Sequence, residues 1–309
     1  MAVAFISHPE CALHRVAAHH PEVPARIGAI EDRLLASGLE LAVHRCDAPL
    51  VTRGQLERVH DPVYLDWIED CVPRDDSMVC VDAGDTVMTR HSLAAAQRAA
   101  GAVVHGVDLV LAGTAHAAFC CVRPPGHHAE RALAMGFCLF NNIAVGAAHA
   151  LEHHGLERVA IVDFDVHHGN GTEQIFRNDP RVLFCSSFQH PFYPFTGHGA
   201  ETANLVDLPL PAGTGGEVFR LEVSRHWLPA LDAFRPQLLM ISAGFDGHAE
   251  DDLAGFELVE SDYSWITREL TAIARRHARG RIVSVLEGGY ALLALGRSAI
   301  VHLDALIDG

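Results

Sequence analysis

Short runs that are apolar at nearly every position recur along the chain, at 3–6, 41–43, 115–122, 158–163, 182–186, 237–242 and 281–286. Runs of this length without polar alternation predict strands buried on both faces, as in a parallel sheet covered by helices. Longer stretches between them predict helices over 25–37, 62–70, 92–112, 142–154, 216–233, 262–278 and 291–307. The 92–112 helix opens on Ser92, runs through an alanine-rich body and stops before Gly113, a sound start and stop. Strand–helix alternation predicts an α/β fold: a single domain over 1–309, built on an open, mostly parallel sheet with helices on both faces. Long loops interrupt the regularity at 8–24, 72–89, 123–139, 187–203 and 245–261. Loops this long inside a compact domain often carry function.

Composition leaves that picture intact. The chain has 309 residues, 49% of them hydrophobic, and no low-complexity linker or charge block divides it. No apolar run reaches the roughly 18 residues needed to span a membrane. Residues 1–8 lack the basic start and long apolar stretch of a secretory signal. A formal charge of −16 argues against a broad nucleic-acid footprint, and an acidic surface tolerates a cationic substrate. The 8 cysteines form no C-x-x-C pair, and several sit in apolar segments. That pattern predicts a reduced, cytoplasmic protein without a disulfide framework. Most of the 22 histidines are scattered, and those at 19–20, 153–154 and 277 read as surface positions.

The chemistry clusters where the predicted strands end. The run at 158–163 leads into Asp163, Asp165 and His167, alternate positions ahead of Gly169-Asn170-Gly171. Two carboxylates and an imidazole at the end of a buried strand are costly unless something pairs with them, and a divalent metal fits. The other clusters are Arg123-Pro124-Pro125-Gly126-His127-His128, Ser242-Ala243-Gly244-Phe245-Asp246 and Glu287-Gly288-Gly289-Tyr290. Open α/β sheets bind ligands outside the carboxyl ends of their strands, so these clusters are expected to share one cleft. Asp165, His167 and Asp246 make a two-carboxylate, one-imidazole metal set that leaves room for water and substrate. His127 and His128 supply a base and an acid. Asp163 orients one imidazole, and the Tyr290 hydroxyl is placed to serve an oxyanion.

These segments, together with Gly136-Phe137-Cys138-Leu139-Phe140-Asn141-Asn142, resemble the zinc-dependent histone deacetylase family of the arginase-deacetylase fold group. Residues 20–26 and 59–64 also look like that family's N-terminal segments. The resemblance implies one catalytic Zn²⁺ on Asp165, His167 and Asp246, with His127, His128 and Tyr290 catalytic. It pairs Asp163 with His127 and Asn170 with His128, and asparagine at 170 points to a class II-like branch. It places Phe137 and Tyr193 as walls of an acyl-lysine tunnel, Gly136 at its floor and Arg26 near an inner acetate-release cavity. A structural K⁺ is implied behind the zinc loop, at Asp163, Asp165, His167, Ser186 and Ser187. Polyamine-preferring members often carry a glutamate seven residues after the last zinc ligand, where this chain has Leu253. One of Asp75, Asp76, Asp82 and Asp85 is expected to clamp substrate at the rim.

The leading expectation is thus a zinc amidohydrolase acting on an acylated lysine. The alternatives are an acetylpolyamine or small acylated-amine deacetylase, a two-metal ureohydrolase resembling arginase, and a weakly active acyl-lysine-binding or scaffold protein. The His pair and Tyr290 favour the one-zinc plan, and retention of Tyr290 and all three ligands disfavours a scaffold. Expected partners are the acylated substrate and, since relatives often form dimers or tetramers, further copies of the chain. Neither nucleic acid nor membrane is expected.

Overall fold

The structure is a computed structural model and describes residues 3–84, 86–197 and 202–309. Its strands are β1 Val3–Ser7, β2 Val43–Asp47, β3 Val79–Cys80, β4 Val87–Met88, β5 Ala117–Cys120, β6 Val159–Asp163, β7 Val182–Gln189, β8 Leu205–Leu210, β9 Leu238–Ala243 and β10 Ile282–Leu286. Its helices are α1 Ala25–Ser37, α2 Arg53–Leu56, α3 Pro62–Asp70, α4 Ser92–Leu111, α5 Asn142–Glu152, α6 Asn170–Phe176, α7 Gly216–Phe234, α8 Glu260–His277 and α9 Leu292–Ile307. One sheet of 8 strands runs in the order β2-β1-β5-β10-β9-β6-β7-β8. Every pairing in it is parallel. β3 and β4 form a separate antiparallel hairpin.

Strand alternation explains why the apolar runs are unbroken. Ala4, Ile6, Ala118, Cys120, Val159 and Ile161 face one core, shared with Val103 and Val107 of α4 and Ile143 of α5. Their neighbours Val3, Phe5, Phe119, Ala160 and Val162 face a second core, shared with Ile30 of α1, Trp227 of α7, Ile266 of α8 and Leu303 of α9. A strand covered on both sides has no position to give to solvent.

The structure differs from the sequence reading mainly at edges. The strand expected at 41–43 is Val43–Asp47. Gly38, at φ +76°, ends α1, and a 3₁₀ turn at Leu39–Ala42 leaves Leu41 95% exposed. β8 falls outside the predicted strands because Asp207 and Pro209 interrupt its apolar character. Proline is tolerated there because β8 is an edge strand. The glycine loop after His167 turns directly into α6. β7 extends to Gln189, taking in the start of the loop expected from 187.

Candidate active site

β5, β10, β9 and β6 are neighbours in the sheet, so the segments that follow them meet at one edge. The tightest group is Asp165, His167 and Asp246, whose candidate ligand atoms lie within 4.8 Å of one another. His167 Nδ1 is 3.0 Å from Asp165 Oδ1 and 3.1 Å from Asp246 Oδ2. Backbone amides orient the carboxylates: Gly288 N–H donates to Asp165 Oδ2 at 2.8 Å, and Val166 N–H to Asp246 Oδ1 at 3.1 Å. The approach at 288 demands glycine, because a Cβ there would lie 2.1 Å from Asp246 Oδ2. Burial tends to lower the His167 imidazole, but Asp246 and Asp165 hold it up, at about 10. Two buried carboxylates and one imidazole facing a common point are the donor chemistry of a zinc site.

The two adjacent histidines have different partners. His127 Nδ1 is 2.9 Å from the buried Asp163 carboxylate. Desolvation would pull His127 down, and Asp163 and Asp165 outweigh it, to about 10. His128 Nδ1 is 2.8 Å from Asn170 Oδ1. The Asn170 amide is oriented by Glu130, which accepts from its Nδ2 at 2.9 Å. Its oxygen therefore faces His128, placing the proton on His128 Nδ1 and leaving the Nε2 lone pair open. Burial, then His127 and His167, push His128 well below its ordinary value.

A cavity of about 150 Å³ opens over this group, lined by His128, Gly136, Phe137, His167, Tyr193, Leu253 and Tyr290. The Phe137 and Tyr290 rings meet edge-on at 6.0 Å, and Tyr193 meets His128 at 5.4 Å. Gly136 has φ +56°, and a Cβ there would lie 2.3 Å from His128 Cδ2. Arg26 lies off the cavity, fully buried behind Tyr290, with its guanidinium 4.9 Å from the ring centre. It donates to Gly289 O at 2.7 Å and also to Glu287 O. Ser186 pairs with Asp163 across β6 and β7. The Ser186 and Ser187 hydroxyls are buried without hydrogen-bond partners, and their oxygens are of the donor type that a monovalent cation takes.

Several residues that shape the site were given no role from sequence. Glu287 Oε2 accepts from the Gly126 and His127 amides at 2.7 and 3.2 Å, and burial pushes its carboxyl up to about 7. Asp251 binds the Tyr290 and Ala291 amides. Glu22, fully buried, bridges Arg123 at 2.5 Å and Arg26 at 3.0 Å. Glu287, Arg123 and Glu22 lay inside the recognised motifs, which was their only signal. His20, read as a surface position, is half-buried and packs edge-on against Phe137 at 4.5 Å. In the acidic loop, Asp82 accepts from the Gly84 and Thr86 amides, Asp75 from Ser77, and Asp76 pairs with Arg90. Asp85 lies outside the described residues. Thr86 Oγ1 accepts from Phe137 N–H at 3.0 Å, tying this loop to the cavity wall.

Comparison with known proteins places this geometry. Residues 20–306 match the histone deacetylase domain. The chain is 36% identical to "Type-2 histone deacetylase 2" of Dictyostelium discoideum, over 98% of this chain and 20% of that protein. It is 34% identical to "Polyamine deacetylase HDAC10" of Homo sapiens, over 99% of this chain and 48% of that protein. The chain thus spans less than half the length of either relative. The crystal structure of the HDA15 HD domain superposes with a TM-score of 0.92 at 33% identity, covering 100% of this chain and 90% of the other. No helix among the described residues is long and apolar enough to cross a membrane.

Proposed function

The chain belongs to the histone deacetylase family, and from that premise we propose that it is a zinc-dependent amidohydrolase that removes acetyl or another acyl group from lysine side chains. The observation that carries this reading is the cluster of Asp165, His167 and Asp246 at a narrow cavity lined by His167 and His128, with His127 packed against His128. When bound there, zinc polarises the amide carbonyl and acidifies a water. The chain's own groups do the rest. Phe137, Tyr193 and Leu253 hold an aliphatic stem and exclude water. His128, with Nδ1 donating to the neutral Asn170 amide, offers Nε2 as the base for the attacking water. His127, held by Asp163, keeps a proton for the leaving nitrogen. Tyr290 donates to the oxyanion from the cavity wall. The C–O bond would form first, and collapse of the resulting oxyanion would break the amide C–N bond, with the His127 proton passing to the nitrogen, to release a carboxylate and a free amine.

The orphaned Ser186 and Ser187 hydroxyls support a K⁺ bound with backbone oxygens of the 163–167 loop. The free cysteines fit a reducing cytoplasm, and we read 1–309 as one domain. Acetylpolyamine is the second reading, supported by the likeness to the human polyamine deacetylase and the chain's charge of −16. Leu253, an apolar side chain on the cavity wall, favours the lysine reading, since it offers no charge to a second amine.

The test is a turnover panel of acetyl-lysine, trifluoroacetyl-lysine and longer acyl-lysine peptides beside acetylputrescine, with zinc quantified. Preference for a lysine peptide at one zinc per active site is the expected result. Preference for acetylputrescine would replace this reading with the second. Tyr290→Phe should retain zinc and lose most turnover, and unchanged turnover would remove the oxyanion role.

A further inference from the structure

Behind the zinc loop lies a second convergence of ligand-type groups that the proposed reaction does not use. His168 follows His167 in sequence, yet its ring packs among Phe188 at 4.6 Å and Phe184 at 6.5 Å, outside the cavity lining. Glu173 of α6 and Asp207 of β8 face it, and the three candidate ligand atoms lie within 4.8 Å of one another. His168 is 1% exposed and Glu173 4%.

Their bonding is incomplete. His168 Nε2 is 2.9 Å from Glu173 Oε2 and 3.8 Å from Asp207 Oδ1. None of these three buried atoms has a hydrogen-bond partner. An imidazolium serving as an ion-pair partner would direct its N–H at a carboxylate oxygen, and this one does not. The opposite nitrogen is fixed, because His168 Nδ1 lies 2.8 Å from Thr196 Oγ1. With Nδ1–H donating to that hydroxyl, Nε2 is left unprotonated beside the two carboxylate oxygens, as in metal-ligating histidines held from behind. Glu173 is also held, by Arg177 on its other oxygen, leaving Oε2 for a ligand.

The protein's other histidine cluster shows the contrast. His149 Nδ1 accepts from Arg58 at 2.9 Å and Nε2–H donates to Asp108 at 2.8 Å, so neither ring nitrogen is left for a metal.

We propose that His168, Glu173 and Asp207 bind a second divalent cation of the zinc or manganese class, separate from the catalytic site. One imidazole and two carboxylates suit such ions. The site ties α6 to β8, bracing from behind the loop that carries Asp165 and His167.

The experiment does not depend on activity. Asp246→Ala disables the catalytic site, and the stripped full-length protein is titrated with Mn²⁺ and Zn²⁺ by calorimetry, with Co²⁺ absorption as the spectroscopic probe. Wild-type protein should bind two equivalents and Asp246→Ala one. Adding Asp207→Asn should weaken that remaining equivalent roughly tenfold or more. Glu173→Gln, in the same background, gives an independent reading if Asp207→Asn folds poorly by circular dichroism. A single equivalent in wild type, or a remaining equivalent insensitive to both variants, would overturn the site.

Discussion

Asp251 Oδ2 accepts the backbone N–H of Tyr290 at 2.6 Å and that of Ala291 at 3.0 Å, while its Oδ1 takes Leu253 N–H at 3.1 Å. One carboxylate thereby links the loop bearing Leu253 to the turn bearing Tyr290, two walls of the same cavity. Asp251→Ala should lower kcat by roughly 10–100-fold, as small misplacements of a reacting group do, with KM and zinc content little changed. In a Tyr290→Phe background the same change should cost much less. Equal costs in both backgrounds would show that Asp251 acts elsewhere.

Asn170 sets the protonation of His128 through a neutral acceptor. Asn170→Asp would put a carboxylate beside that imidazole and raise its pKa. A base with a raised pKa stays protonated to higher pH. The acidic limb of the kcat/KM profile should therefore move upward in pH, checked by a pH–rate profile of both proteins. The new carboxylate would also face Glu130, now 2.9 Å from the Asn170 amide nitrogen, so a modest loss of stability should accompany the shift.

Gly136→Ala tests the close approach beneath His128. The backbone is left-handed at φ +56°, and the methyl would sit 2.3 Å from the imidazole. The left-handed penalty alone is about 1–2 kcal/mol, and relief of the clash must move the ring. Lower thermal stability together with a large loss of kcat is the expected outcome in melting and turnover assays.

The Glu22 carboxylate bridges the buried Arg26 and Arg123 guanidiniums. Glu22→Gln would leave two buried positive charges without their counter-charge, and removing one partner of a buried pair typically costs about 3–5 kcal/mol. Urea denaturation should show a loss of that order. A loss within experimental error would mean that the guanidiniums are satisfied by the carbonyls of Cys11, His14, Gly289 and Glu287.

Chelation should abolish turnover and lower the melting temperature, because a ligand that binds the folded state stabilises it by mass action. Added Zn²⁺ should restore both in wild type. In Asp246→Ala, turnover should stay lost after zinc is returned, read by metal analysis alongside activity.

The strands were legible because burial on both faces leaves an apolar run that little else produces, and the chemical clusters were legible because they follow those runs. β8 escaped because an edge strand tolerates Asp207 and Pro209. α6 escaped because a glycine loop led straight into it. Asp251 left no sequence signal: its role depends on the register between two loops, and the fold alone creates that register. The separation of His127 from His128 was legible only through the family resemblance, since adjacent identical residues differ only in what the fold sets behind them. Asp163 stands behind one, and an asparagine oriented by Glu130 stands behind the other.

The strand order has a consequence for a chain still being made. β10 comes last in sequence but lies between β5 and β9, so a nascent polypeptide must hold a slot open in the middle of its sheet. By the time Asp246 has left the ribosome, every proposed zinc ligand is present. The Gly288 amide that orients Asp165, and Tyr290 itself, are still to come. The closing strand therefore supplies the last of the site's surroundings, after the residues that it orients have already been made.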